Sequence, residues 1–113
     1  SCLDIGQSVV VEAGQVLGIE TVQGTEQLLG YVRDTSTALR RLGVGVFVKR
    51  EKINQDLRVD MPTIGPETIR QVYDAKLASI IITPGKVIVL DQDECFRLCE
   101  ELSLSFIVKE REK

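Results

Sequence analysis

The 113-residue sequence contains no histidine and no tryptophan. Histidine is the side chain whose ordinary pKa lies nearest neutral pH, so any chemistry here falls to carboxylates, hydroxyls, lysine and arginine. Aromatics are scarce, with three Phe and two Tyr, which argues against stacking platforms for single-stranded nucleic acid. The net charge of −3 lacks the basic footprint of a nucleic-acid binder, so no nucleic-acid partner is expected. No apolar run approaches the ~20 residues of a membrane span. No signal-peptide pattern is present, and a first residue of Ser1 suggests a piece excised from something longer. Three cysteines cannot build a disulfide framework. Cys95 and Cys99 stand four apart on one helical face, and no histidine or further cysteine pair completes a metal site. They read as small core residues whose free thiols suit a reducing, cytoplasmic compartment.

What is present is an ordinary globular composition, 43% hydrophobic and 27% charged, in a chain of one domain's length, 1–113. "SVVVEAGQVLGIE" reads as a hairpin turning at Ala13-Gly14. "GTEQLLGYVR" reads as a helix capped by Thr25, with Leu28, Leu29 and Val32 as its apolar stripe. "DTSTALRRLG" reads as a loop or a second short helix. "VGVFVK" is a buried strand ending at Lys49, "REKIN" a polar loop, and "DLRVDM" another strand. Pro66 stands at a favoured first-turn position, ahead of a face made by Ile69, Val72 and Tyr73. "SIIIT" and "KVIVL" read as a second hairpin around Pro84-Gly85. "DQDECFRLCEEL" is a helix with Asp91 and Glu94 as a capping box and Cys95, Leu98, Cys99 and Leu102 on one side. "SFIVK" is the last strand, followed by a charged tail. The fold class is therefore α/β, a mixed sheet with about three helices. "SVVVEAGQVLGIE" and "SIIITPGKVIVLD" align without a gap, each followed by a helix and a strand. This suggests an internal repeat of hairpin–helix–strand units, with coincidence as the other explanation.

The stretch "QDLRVDMPTIGPET", Gln55 to Thr68, carries the most chemistry. Alternation along a strand puts Asp56, Arg58 and Asp60 on one face and Leu57, Val59 and Met61 on the other. A solvated edge strand with weak ion pairs would look the same. But Asp60 falls near a strand end shortly before the helix that starts at Pro66. Free N–H groups at a helix start suit phosphate, carboxylates suit Mg²⁺, and Arg58 can fork onto a phosphate. Together these are parts for pyrophosphate chemistry. A second carboxylate at a strand end, Glu20, precedes the helix start at Gly24-Thr25-Glu26, where plain capping is the alternative. Lys49 is either a phosphate ligand or a solvated strand-end lysine.

"DIGQSVVVEAGQVLGIETVQGTE", "VFVK" and "NQDLRVDMPTIGPET" together resemble the C-terminal domain of the LpxI-type UDP-2,3-diacylglucosamine pyrophosphatases of bacterial lipid A synthesis, over nearly the whole chain. Gln23 and Glu26 depart from the family's usual acid and Asp, and Ile53 from a common proline. The resemblance implies a two-domain hydrolase whose N-terminal, Rossmann-like half is absent from this chain. The lipid nucleotide-sugar substrate would lie between the halves. Hydrolysis would give UMP and 2,3-diacylglucosamine 1-phosphate, with Mg²⁺ or another divalent metal such as Mn²⁺. The resemblance makes Asp60 the catalytic carboxylate. Asp60, Glu20 and Asp56 become metal ligands, with Glu20 alternatively an orienting group. Arg58, Lys49, Gln55 and Thr25 become substrate or phosphate contacts. The isolated domain is expected to be inactive. A cytoplasmic location is implied, with peripheral contact at the inner membrane and homo-oligomerisation left open. The alternative is a non-catalytic ligand-binding or interdomain module of the same fold.

Overall fold

The structure is a computed structural model, and it describes residues 8–21, 23–49, 52–53, 59–60, 63–83 and 87–109, with 52–53 and 59–60 described by backbone alone. The strands are β1 (Ser8–Glu12), β2 (Gln15–Ile19), β3 (Gly45–Lys49), β4 (Lys52–Ile53), β5 (Val59–Asp60), β6 (Thr63–Ile64), β7 (Ser79–Ile82), β8 (Ile88–Val89) and β9 (Ser105–Val108). The helices are α1 (Thr25–Arg33), α2 (Pro66–Asp74) and α3 (Gln92–Glu101), with a 3₁₀ turn at Thr37–Leu39.

The main sheet runs β2-β1-β3-β7-β9. β1 lies antiparallel to both neighbours, while β3, β7 and β9 are mutually parallel. The ends of β2, β3, β7 and β9 and the start of β1 therefore share one edge, the carboxyl edge of the sheet. Each helix joins a strand ending at this edge to a strand starting at the opposite one. Two small ladders complete the architecture, antiparallel β4-β5 and parallel β6-β8. The second sets α2 and α3 side by side, because β6 leads into α2 and β8 into α3.

Cross-strand partners share a face. Val10, Phe47 and Ile80 form one such row and are fully buried. They pack with Leu28, Leu29 and Val32 of α1, Ile69 and Val72 of α2, and Cys95, Leu98 and Cys99 of α3. Burying each large apolar side chain stabilises by about 1.5–3 kcal/mol, so these stripes hold the helices on the sheet. Val9, Val48 and Ile81 occupy the next row, on the other face, and are only partly buried.

A buried ion pair ties the helix ends to the far edge of the sheet. Arg40 Nη2 lies 2.8 Å from Glu12 Oε2, with both side chains almost fully covered. Arg40 also donates to the carbonyls of Val32 and Ala75, at the ends of α1 and α2. The Val32 carbonyl also accepts the Thr35 N–H at 3.1 Å, and both carbonyls lie at helix ends that carry the negative end of the dipole. The amide of Arg41 donates to Glu12 Oε1 at 2.7 Å. Burial pushes the Glu12 carboxyl up, but the hydrogen bonds and charges of Arg40 and Arg41 outweigh it and hold the pKa below its ordinary value.

Several expectations change. "REKIN" is not all loop, because Lys52–Ile53 pairs with Val59–Asp60. The expected second hairpin does not form. β7 has β3 on one side and β9 on the other, so no edge is left for β8, which pairs with β6 instead. The first unit sets its opening strand antiparallel to its last (β1, β3), while the second sets them parallel (β7, β9). The two units therefore do not repeat in structure. Tyr73 is 49% exposed and does not join the core face of α2. Asp91 precedes α3 in a left-handed conformation without a side-chain cap bond, and Glu94 pairs with Arg97.

Candidate functional site

Three residues singled out in the sequence meet at the carboxyl edge. Glu20 follows β2, Lys49 ends β3, and Thr25 opens α1. Ser8 opens β1 opposite Lys49 and accepts the Glu20 backbone N–H at 2.8 Å. The turn from β2 to α1 needs a glycine, since Gly24 sits at φ 97, a region that disfavours side chains. Gly24 is also the residue before the helix, a place the sequence assigned to Thr25. Thr25 is freed from capping, and its hydroxyl turns to the cluster.

The contacts form a short chain. Lys49 Nζ donates to Thr25 Oγ1 at 2.8 Å, and Thr25 Oγ1 donates to Glu20 Oε1 at 2.7 Å. Ser8 Oγ donates to the same carboxylate oxygen at 2.7 Å. Lys49 Nζ and Glu20 Oε1 are 4.0 Å apart, so the hydroxyl bridges a loose ion pair. Ser8, Glu20 and Lys49 are all buried. Burial lowers the Lys49 pKa, and the Glu20 charge offsets only part of that. The cluster is thus a preorganised, low-dielectric patch holding a costly cation, the kind of arrangement that clusters at functional sites.

Whether these groups suit a divalent cation is a separate question. Mg²⁺ takes about six oxygens, several of them water, and prefers two carboxylates. Among the described residues no three His, Cys, Asp or Glu side chains gather into a metal-binding group. Glu20 is one carboxylate with an ammonium beside it and two hydroxyls on one oxygen. Alone it does not fit a metal, and its geometry suits an orienting group better.

Gln55, Asp56 and Arg58 lie outside the described residues, as do the side chains of Leu57, Val59, Asp60 and Met61. The backbone of Asp60 pairs with that of Lys52, and Lys52 follows Lys49 by three residues, at most about 11 Å of chain. Asp60 is therefore tethered to the strand end that carries Lys49. Cys95 and Cys99 are buried and free, as read from their spacing. Burial pushes the Cys95 thiol up to about 11, which leaves it inert at neutral pH.

Ser8 is the member of the cluster that the sequence reading missed. Its signal was the alternation Ser8-Val10-Glu12, which puts two polar residues on the face of a buried valine.

Two comparisons bear on this geometry. Residues 1–107 match the family described as the LpxI C-terminal domain. The chain is also 39% identical over 105 residues to the UDP-2,3-diacylglucosamine pyrophosphatase LpxI of Caulobacter vibrioides, covering 90% of this chain and 38% of that protein. Since the match takes in β1 through most of β9, and with them Ser8, Glu20, Thr25 and Lys49, the chain belongs to the LpxI C-terminal domain family.

Proposed function

We propose that this chain is the C-terminal part of a two-domain pyrophosphatase that hydrolyses UDP-2,3-diacylglucosamine to UMP and 2,3-diacylglucosamine 1-phosphate. The observation that carries the reading is the Ser8–Glu20–Thr25–Lys49 cluster at the carboxyl edge of the sheet. Open α/β sheets bind their ligands at that edge. A relative that extends well beyond this chain is named for the same activity.

In this reading Asp60 is the catalytic carboxylate. Arg58 and Gln55 grip the phosphates directly. Lys49 is too covered for a direct grip. It adds positive potential from behind, through Thr25, while Glu20 orients. A requirement for Mg²⁺ or Mn²⁺ belongs to the same proposal and rests on Asp60 and Asp56 rather than on Glu20 alone. So do a cytoplasmic location, contact with the inner membrane where a lipid substrate resides, and an N-terminal domain that closes over the substrate.

The test is a two-domain protein carrying Asp60→Ala, assayed for UMP release and melting temperature. Turnover is expected to fall ~10²-fold or more with the melting temperature unchanged. Near-normal turnover by the folded variant would overturn the assignment.

A further inference from the structure

The ion pair of the polar cluster stands open. Lys49 Nζ and Glu20 Oε1 are 4.0 Å apart, whereas the closed pair at the other end of β1, Arg40 with Glu12, spans 2.8 Å. Both pairs are buried, where opposite charges attract more strongly than in water, so the opening needs a cause. Ser8 lies between the two charges. It faces Lys49 in the β1–β3 register and stands one step beyond the Val9–Ile19 pair of β1 and β2, opposite Glu20. Glu20, Ser8 and Lys49 thus form one row across three strands, with the outer backbones about 10 Å apart. A small side chain in the middle leaves room for the long ones to approach. Ser8 also holds Glu20 twice. Its carbonyl accepts the Glu20 N–H at 2.8 Å, and its hydroxyl donates to Glu20 Oε1 at 2.7 Å. Thr25 donates to the same oxygen, so that oxygen cannot close on Lys49 without leaving two hydroxyls.

We propose that Ser8 is a positioning residue whose hydroxyl holds Glu20 off Lys49, so that the lysine's charge stays directed at an anionic phosphate bound at the carboxyl edge. The inference rests on the pyrophosphatase reading. Its physical basis is the field of two opposite charges, which grows with their separation. Closing the pair from 4.0 Å to the contact distance of Arg40 and Glu12 would shrink the field at a more distant anion by roughly a third. Thr25 does not serve this purpose alone, because its hydroxyl also accepts from Lys49 and so belongs to both charges. Among the described residues the Ser8 hydroxyl bonds the carboxylate only. A purely structural Ser8 would satisfy a buried acceptor, and its loss would show in stability and not in turnover.

The experiment uses the two-domain protein as parent, as Ser8→Ala, as Glu20→Gln and as the double variant. UMP release per folded molecule is measured together with melting temperature. Ser8→Ala should lower kcat about tenfold with KM within about twofold, a smaller loss than the ~10²-fold typical of a group in direct contact. In the Glu20→Gln background there is no charge to hold off, so adding Ser8→Ala should lower kcat no further. Equal losses in the two backgrounds, or a lower melting temperature with kcat unchanged, would overturn the proposal. A crystal structure of the Ser8→Ala protein is the second measurement. Contraction of the Glu20–Lys49 pair to direct contact is expected, and a separation that stays near 4.0 Å would overturn the proposal whatever the kinetics. A parent that releases no UMP sinks the pyrophosphatase reading alone, since the separation of the pair still decides whether Ser8 holds it open.

Discussion

The two ends of β1 hold two buried ionic groups built in opposite ways. At Glu12 the partner is an arginine in direct contact at 2.8 Å, with Val32, Ala75 and the Arg41 amide taking up the remaining bonding capacity. At the Ser8 end the partner of Glu20 is a lysine held off at 4.0 Å, and a threonine hydroxyl lies between them. The planar guanidinium can satisfy a carboxylate and two helix ends at once, whereas a lysine is a point charge that tolerates a looser setting. The first group locks three elements together. The second keeps a cation in a covered place where it costs stability, which is what a fold tolerates where it serves a ligand. Under the proposed function, the first group holds the domain and the second serves its chemistry.

The largest expected effect breaks the first group. Arg40→Ala leaves the Glu12 carboxylate buried with only the Arg41 amide, and it strips the Val32 and Ala75 carbonyls of a donor. Losing one partner of a buried pair costs about 3–5 kcal/mol. Denaturant unfolding should show that drop, while the activity per folded two-domain molecule stays near that of the parent. A loss under 1 kcal/mol would show that the two ends of β1 do not differ as argued.

A smaller effect comes from the residue that makes room for Glu12. Gly45 pairs with Glu12 across the strands, and a Cβ there would stand 2.5 Å from Leu77 Cδ2 and 3.2 Å from Glu12 Oε2. Gly45→Ala should cost about 1–3 kcal/mol through overpacking. A melting temperature equal to the parent's would mean that Leu77 and Glu12 shift at no cost.

Much of the helical layer was legible in the sequence. Leu28, Leu29 and Val32, then Ile69 and Val72, then Cys95, Leu98 and Cys99 follow the helical period, and all are buried. Strand order was not legible. "SIIITPGKVIVL" has the same local pattern as the true hairpin, but the edges of β7 are taken by β3 and β9, a fact about distant segments. Cap chemistry was half legible, since Thr25 and Asp91 are good cap residues that bond elsewhere or take another conformation. Glu20, Thr25 and Lys49 could be picked individually as strand-end and helix-start residues. That they touch depends on β1 standing between β2 and β3. The Glu12–Arg40 pair, 28 residues apart, has no local signal at all.

The smallest stability effect should come from the second group, and its sign is the point. Lys49→Met removes a charge that burial disfavours and keeps much of the side-chain volume, and Glu20 retains the hydroxyls of Ser8 and Thr25. Such a swap should leave stability within about 1 kcal/mol of the parent at neutral pH, while UMP release by the two-domain protein falls. The pH profile sharpens the contrast. The Lys49 pKa is lowered in the folded chain from its ordinary 10.5. Between the folded value and 10.5 the unfolded chain binds more protons than the folded one, so the parent gains stability as pH rises through that window. Lys49→Met lacks this gain, and the two stability curves should converge or cross on the alkaline side. Glu12 works the other way. Its carboxyl lies below the ordinary 4.5, so its stabilisation is complete above 4.5 and is lost as pH falls through the folded value. Both proteins should share that acid limb. Parallel curves for parent and Lys49→Met from pH 7 to 10.5 would show that Lys49 carries no desolvation cost, and the functional reading of the loose pair would lose its support.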